Sequence, residues 1–106
     1  MEIKLIIANH HLEGADCIES PNQGGPYAPG ALDTIIIHFT AGANAESAID
    51  TLCNVERKVS AHLVVARNGT VSQLLPFNII GWHAGHSKWG EREGFNQYSI
   101  GIEIDN

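Results

Sequence analysis

The sequence predicts an α/β protein with a central mixed β-sheet. Residues 98–104 alternate strictly, so that three isoleucines share one face of a strand and small or polar side chains share the other. Residues 34–40 form a nearly continuous apolar run, which is typical of a central strand buried on both faces. Residues 44–53 place apolar side chains on one side at helical spacing, which indicates one helix beside the sheet.

Length, charge and cysteine content limit the function classes. A chain of 106 residues suits one domain, and its net charge of −6 argues against nucleic acid or an anionic membrane as the main partner. No apolar stretch is long enough for a transmembrane span or a signal-peptide core, which predicts a cytoplasmic protein if this N-terminus is native. Cys17 and Cys53 lack C-x-x-C spacing, so we expect free thiols, with a single disulfide as the alternative.

The remaining elements follow from local patterns. Residues 9–33 are rich in glycine and proline, which predicts an irregular segment. Two further strands are predicted at 59–67 and 70–75. Asn68-Gly69 between them is a strong hairpin signal, and we expect a turn in which both residues have positive φ.

Three side chains are candidates for chemistry or for buried polar roles. Glu103 lies on the polar face of the last strand beside Gly101, so it is either solvent-facing or catalytic. His38 interrupts the apolar run just before a glycine loop, a position where α/β proteins build sites. His38 is therefore either a residue of a functional site or a hydrogen-bonded core residue. His62 is expected to be a hydrogen-bonded core residue.

Residues 76–97 form a long connection that contains Trp82, His83, His86 and Trp89. Long connections without secondary structure are usually functional or disordered, and the aromatic content argues against disorder. We expect a ligand-facing loop in which tryptophan offers an apolar stacking surface of the kind that sugars use. The alternative is a loop that the two tryptophans pin to the core.

Five motifs occur together in an order that matches a known family. They are residues 35–40 (IIIHFT), 59–62 (VSAH), 67–76 (RNGTVSQLLP), 82–85 (WHAG) and 96–103 (NQYSIGIE). This order resembles the zinc-dependent N-acetylmuramoyl-L-alanine amidases, or type-2 amidases, which are related to phage lysozyme-like amidases and peptidoglycan recognition proteins. The resemblance implies a mixed sheet with flanking helices. It also implies that residues 1–106 form the N-terminal portion of one amidase domain, with 1–33 irregular and 34–106 family-like.

The resemblance implies a zinc enzyme that acts on peptidoglycan or muropeptides. The reaction would hydrolyse the amide between the lactyl group of N-acetylmuramic acid and L-alanine of the stem peptide. His38 is similar to the first zinc ligand of the family and Glu103 to its general base, and Gly101 would leave room for metal and substrate. The substrate-binding residues would be Trp82, His83 and Asn96. A cell-wall or phage-released location would apply if the N-terminus is not native.

The chain departs from the family pattern. In that family two more zinc ligands and a lysine follow the glutamate strand, whereas this sequence stops at Asn106, and its other histidines do not match those positions. Ala61 stands where other members carry a tyrosine. We therefore expect the 106-residue chain alone to lack catalytic zinc and activity. We also expect the isoleucine face of the last strand, or its neighbours, to lack the helical cover that the family provides, which favours association.

Three functions remain open at this point. The first is an amidase whose sequence is cut short, and the second is a non-catalytic peptidoglycan-binding module. The third is an inactive remnant or a regulator that binds no wall ligand. A downstream Gly-His pair with a later Asp or Cys would favour the first, whereas an authentic stop codon after Asn106 would favour the others.

Overall fold

In the part of the chain that the structure describes, the protein consists of short β-strands and one α-helix. The computed structural model describes residues 5–85 and 87–105, so Met1–Lys4, His86 and Asn106, including the predicted loop histidine, lie outside the described residues. The elements are β1 (Ile7–Ala8), β2 (His11–Leu12), β3 (Asp16–Cys17), β4 (Thr34–Phe39), α1 (Ala45–Leu52), β5 (Leu63–Val65), β6 (Val71–Gln73), β7 (Lys88–Trp89), β8 (Arg92–Glu93), a 3-10 helix (Phe95–Gln97) and β9 (Ser99–Ile104).

The main sheet is organised around β9, which pairs with a parallel strand on each side. β4 and β5 are those neighbours, β6 pairs antiparallel with β5, and β3 pairs parallel with β6. The order β3-β6-β5-β9-β4 gives a five-stranded mixed sheet. This arrangement confirms the predicted fold class. Two small antiparallel pairs, β1 with β2 and β7 with β8, lie outside the main sheet.

β4 lies at the edge of the sheet, so the prediction of a central strand at residues 34–40 was wrong. Ile35, Ile37 and Phe39 are 64%, 54% and 58% exposed. An apolar run reports the chemistry of its side chains, whereas a strand's place in a sheet depends on which distant segments pair with it. The exposed apolar surface therefore belongs to β4, the strand next to the isoleucine face of β9. Ile100 itself is buried.

α1 confirms the predicted helix and covers the sheet face that carries Glu103. Asn44 caps its first turn, because the side-chain oxygen accepts a backbone N–H at 2.8 Å. The helix buries Leu52 against the sheet. The core cluster comprises Leu52, Ala61, Val64 and Leu74. Val64 is paired with Glu103 across β5 and β9, so both side chains lie on the face beneath the helix.

The hairpin between β5 and β6 was predicted, but its turn differs from the expected type. The Gly69 N–H donates to the Ala66 carbonyl, and the Ala66 N–H donates to the Thr70 carbonyl, each at 2.9 Å. Gly69 has φ of +89°, whereas Asn68 is not in the left-handed region. This pattern is typical of a three-residue loop with glycine alone at positive φ, rather than a two-residue turn. The flanking strands are correspondingly shorter than predicted.

The segment of residues 9–33 is largely irregular as predicted, but it also contributes β3 to the sheet. β3 has only two residues, which is too short for an alternating pattern to reveal. Further along, Asn22 is 1% exposed. Its side-chain amide donates to the carbonyls of Leu52, Asn54 and Val59 at 3.3, 2.9 and 2.8 Å. These bonds fix the segment against the C-terminal end of α1, where the last carbonyls have no partner within the helix.

The connection of residues 76–97 contains the hairpin β7–β8 and the 3-10 helix, so the prediction of a loop without secondary structure was wrong. The Arg92 guanidinium donates to both carboxylate oxygens of Asp33 at 3.0 and 2.8 Å. This pairing holds the pKa of Asp33 below its usual value. The same guanidinium lies 4.1 Å from the centre of the Tyr98 ring. The hairpin is thereby tied to the residue that precedes β4.

Cys17 and Cys53 are both free, which confirms the expectation of unpaired thiols. Burial raises the pKa of the Cys53 thiol, with a smaller contribution from the charge of Asp50. Within residues 5–85 and 87–105, no helix has the length and apolar character needed to cross a lipid bilayer.

Candidate active site

His38 and Glu103 lie side by side on the sheet face beneath α1. The parallel register of β4 and β9 pairs these two residues, so their side chains project in the same direction from neighbouring strands. Both residues are half-buried. Glu103 also lines a groove of about 200 Å³ between the sheet and α1, together with Thr40, Ser47 and Thr51. The sequence placed these residues on separate strands, and the register brings them together.

The environment of Glu103 favours its protonated form. Burial raises the pKa of this carboxyl above its usual value, and the neighbouring His38 imidazole acts in the opposite direction. A carboxyl whose pKa moves towards neutrality is better suited to accept a proton and to return it during a reaction.

His83 reaches into the same site from the connection that precedes β7. Its Nδ1 atom lies 3.1 Å from His38 Nε2. A Cβ at Gly101 would lie 2.5 Å from the His83 ring, so the space above this glycine holds an imidazole. The sequence predicted that Gly101 leaves room for metal and substrate, and the structure corrects this to room for His83.

The hydrogen bonds around His83 define which nitrogen carries the proton. Ser99 Oγ donates to the Phe95 carbonyl at 2.6 Å and therefore accepts from His83 Nε2 at 3.2 Å. This leaves His83 Nδ1 as an acceptor that faces His38 Nε2. Burial, with the nearby His38 and His62 rings, lowers the pKa of His83 to about 4. The His83 ring is therefore neutral at pH 7.

The backbone next to His83 is held by two side chains. Asn96 Oδ1 accepts from the backbone N–H groups of His83 and Ala84 at 3.0 and 2.8 Å. Ser60 Oγ accepts from the Trp82 N–H at 2.8 Å. The side-chain oxygen of Asn96, predicted to bind substrate, is thus engaged by the loop. Its observed contribution is to fix the position of His83.

Trp82, the other predicted substrate residue, is half-buried and packs towards the N-terminal segment. A Cβ at Gly24 would lie 3.2 Å from the indole Nε1 atom of Trp82. Trp89 differs, since it is 80% exposed. One tryptophan therefore packs against the protein and the other faces solvent, so the two do not jointly pin the connection to the core. A ligand-facing role of the connection stays a prediction.

His62 is a buried structural residue next to the site, as the sequence predicted. It is 0% exposed, its Nδ1 atom accepts from the Gly101 N–H at 3.1 Å, and its Nε2 atom donates to the Ile79 carbonyl at 2.6 Å. Burial lowers the pKa of this imidazole. Tyr27 donates its hydroxyl to the Ser99 carbonyl, and burial raises its pKa to about 12.

Sequence reasoning missed Tyr27 and Ser99, because nothing local marks them. Tyr27 lies within the glycine- and proline-rich segment, 72 positions before Ser99, to which it donates a hydrogen bond. Ser99 belongs to the polar face of the last strand, and that alternation was its one available signal. Ala61, at the position of the family tyrosine, is fully buried in the core.

The described residues do not complete a zinc site. Within residues 5–85 and 87–105, no group of three or more histidine, cysteine, aspartate or glutamate side chains is arranged to hold a metal ion. A catalytic zinc has three protein ligands and a water. His38 offers one imidazole, and its Nε2 atom is hydrogen-bonded to His83. The described part of the chain thus supplies one candidate ligand, which is too few to hold a catalytic zinc.

Comparisons with known proteins show which family the chain belongs to. The N-acetylmuramoyl-L-alanine amidase family matches residues 28–106. The 1,6-anhydro-N-acetylmuramyl-L-alanine amidase AmpD of Escherichia coli K12 is 46% identical over 48 residues, which cover 45% of this chain and 26% of that protein. The amidase AmiD of the same strain is 35% identical over 82 residues, covering 71% of this chain and 29% of that protein.

Solved structures give the same result. A crystal structure of an AmpD derivative superposes with a TM-score of 0.76 at 26% identity, covering 95% of this chain and 66% of that one. AmiD from E. coli, solved in complex with anhydro-N-acetylmuramic acid-L-Ala-D-gamma-Glu-L-Lys, gives 0.64 at 35% identity, covering 74% and 32%. The chain spans about a quarter of the length of the curated relatives that it matches. The family match over residues 28–106 and the shared fold establish that the chain belongs to the N-acetylmuramoyl-L-alanine amidase family.

Proposed function

We propose that the protein hydrolyses the amide between N-acetylmuramic acid and L-alanine in peptidoglycan or muropeptides. One observation carries this proposal: the register of β4 and β9 sets His38 beside Glu103 in a chain of the amidase family. A carboxyl and an imidazole on adjacent rigid strands are held more precisely than groups on separate loops. The substrate bound in the AmiD complex, a muropeptide, is of the chemical class proposed for this chain.

Glu103 would act as the general base. An amide is a weak electrophile, so its hydrolysis needs an activated water and a proton for the departing amine. The carboxylate would take the proton from water and then pass it to the amine nitrogen of L-alanine. The raised pKa of Glu103 supports this role. In a half-buried position the free-energy cost of the protonated carboxyl, which forms during the reaction, is lower.

We further propose that the complete protein binds zinc, with His38 as one ligand and the others outside the described residues. When bound, zinc would polarise the substrate carbonyl and lower the pKa of water to about 7. Trp82 and His83 remain predicted substrate contacts. His83 is held next to His38 through Ser99, which places a neutral imidazole where the substrate amide would lie.

The test is Glu103→Gln in the full-length protein that contains this chain. We expect turnover of N-acetylmuramoyl-L-Ala-D-isoglutamine to fall by roughly 10²- to 10⁴-fold, since a general base contributes about that much. Mass spectrometry of the released dipeptide measures turnover. Zinc content and thermal stability should remain those of the wild type or higher. The matched control is Glu56→Gln, because Glu56 is an exposed carboxylate remote from the site.

Three results separate the possible functions. Near-normal turnover by Glu103→Gln would remove this residue from the mechanism. Binding of the muropeptide by a wild-type protein that does not cleave it would favour the non-catalytic binding module. A wild-type protein that neither binds nor cleaves the muropeptide would contradict the proposed function altogether.

A further inference from the structure

We propose that the cleft next to Trp89 binds the sugar ring of the muramyl group, with the indole stacked on it. This inference rests on the proposed function and adds which half of the substrate lies where. The cleft has a volume of about 230 Å³. Its walls are formed by Thr34, Ile36, Ser87, Lys88, Trp89 and Phe95. Pockets for drug-sized ligands measure roughly 300–1,000 Å³, so this volume suits a group of about the size of one ring.

The cleft is adjacent to the reacting groups. Ile36 and His38 lie two residues apart on the same face of β4, which is roughly 7 Å along a strand. Ile36 is also paired in register with Gly101, above which the His83 ring lies. A sugar in the cleft would therefore lie one short linker away from the His38–Glu103 pair. In the proposed substrate the lactyl group is that linker.

Trp89 is presented to solvent by an anchored hairpin. An 80% exposed tryptophan is unusual, because exposure forgoes the burial of a large apolar surface. The hairpin that carries it is nevertheless fixed at its base. The Gly94 N–H donates to the Ser87 carbonyl at 2.9 Å, and Arg92 pairs with both oxygens of Asp33. An anchored hairpin holds the Trp89 backbone in place before a ligand binds, which reduces the entropy lost on binding.

The chemistry of the two spaces beside the His38–Glu103 pair assigns the substrate halves. The Trp89 cleft is almost entirely apolar, with one aromatic ring exposed at its rim. The groove on the Glu103 side carries the hydroxyl groups of Ser47 and Thr51. They donate to the helix carbonyls of Asn44 and Ser47, and their oxygens keep lone pairs that can accept a hydrogen bond. Hydroxyls suit the amide groups of a stem peptide, whereas the C–H face of a pyranose suits an aromatic face. The sugar is therefore assigned to the Trp89 side and the peptide to the groove.

The experiment compares two ligands on two proteins by calorimetric titration. The ligands are N-acetylmuramoyl-L-Ala-D-isoglutamine and its sugar-free counterpart, D-lactyl-L-Ala-D-isoglutamine. Both proteins carry Glu103→Gln to prevent turnover, and one also carries Trp89→Ala. We expect Trp89→Ala to weaken binding of the muramyl ligand by about 2- to 12-fold, which is the value of one aromatic stacking contact. The affinity for the sugar-free ligand should not change. Val55→Ala, at an exposed apolar residue, should change neither affinity.

A second measurement reports on the indole directly. The chain has two tryptophans, so the difference in emission between the Glu103→Gln protein and the same protein with Trp89→Ala reports on Trp89. Its emission should change on addition of the muramyl ligand but not of the sugar-free one. The assignment would be overturned if Trp89→Ala lowered the affinity for both ligands equally, or if the loss of affinity grew with the length of the stem peptide in the ligand. Either result would leave the amidase proposal intact. A wild-type protein that binds neither ligand would overturn both proposals.

Discussion

Gly101→Ala should destabilise the protein through a single contact. φ at Gly101 is not in the left-handed region, so alanine fits the backbone. The new Cβ would lie 2.5, 2.6 and 2.7 Å from three atoms of the His83 ring, closer than carbon atoms approach. The ring is also held by Ser99 and His38, so it has little freedom to move. Overpacking of this kind costs about 1–3 kcal/mol.

The same substitution should be harmless once the ring is removed. In a His83→Ala background the Cβ added by Gly101→Ala would meet no imidazole, and replacing glycine by alanine restricts the conformations of the unfolded chain. That replacement is then expected to stabilise by about 0.4–1 kcal/mol. The two changes should therefore couple by about 1.4–4 kcal/mol, since the cost in one background becomes a gain in the other.

Urea unfolding of the wild type, both single variants and the double variant measures this coupling. In thermal unfolding, each kcal/mol corresponds to roughly 4–8 °C in a domain of this size. If Gly101→Ala costs the same in both backgrounds, within about 0.5 kcal/mol, then the His83 ring does not occupy the space above Gly101. That result would also remove the proximity of His83 to His38 on which the site description depends.

Two further outcomes are expected. Asn22→Ala should lower the free energy of unfolding by about 1–3 kcal/mol, because the carbonyls of Leu52, Asn54 and Val59 lose a buried donor. Asn78→Ala, at an exposed position, is the control, and a loss below about 0.5 kcal/mol for Asn22→Ala would contradict this account. Burial lowers the pKa of both His62 and His83, so the unfolded chain binds these protons first and stability should fall below pH 6.5, by up to about 1.4 kcal/mol per pH unit for each of them. NMR titration of the His62 ring checks this, and protonation near pH 6.5 in the folded protein would refute it.

The sequence predicted those parts of the fold that depend on local patterns. Strict alternation identified β9, the apolar spacing after Asn44 identified α1, and Asn68-Gly69 located the hairpin. Each signal lies within ten residues and reflects which face of an element is apolar or which residue accepts positive φ. Even there the turn type was wrong, because it depends on the hydrogen bonds that flank the loop.

The sequence did not predict features that depend on contacts between distant segments. The edge position of β4 follows from its pairing with β9 alone among the described strands. The His83 ring lies above Gly101, 18 positions away, and no local pattern links a loop imidazole to a missing Cβ. Glu103 and His38 were identified individually, but their adjacency required the register of two parallel strands.

β4 gives this site a particular capacity to diversify. Its inner face presents Thr34 and Ile36 to the Trp89 cleft and then His38, and Thr40, directly after the strand, lines the groove beneath α1. Alternate positions of one strand thus serve sugar recognition, chemistry and peptide recognition in turn, on our assignment of the two spaces. Because the walls of the two spaces are otherwise built by separate segments, a descendant protein can exchange its glycan or its peptide preference independently. The residues that perform the reaction would remain unaltered in both cases.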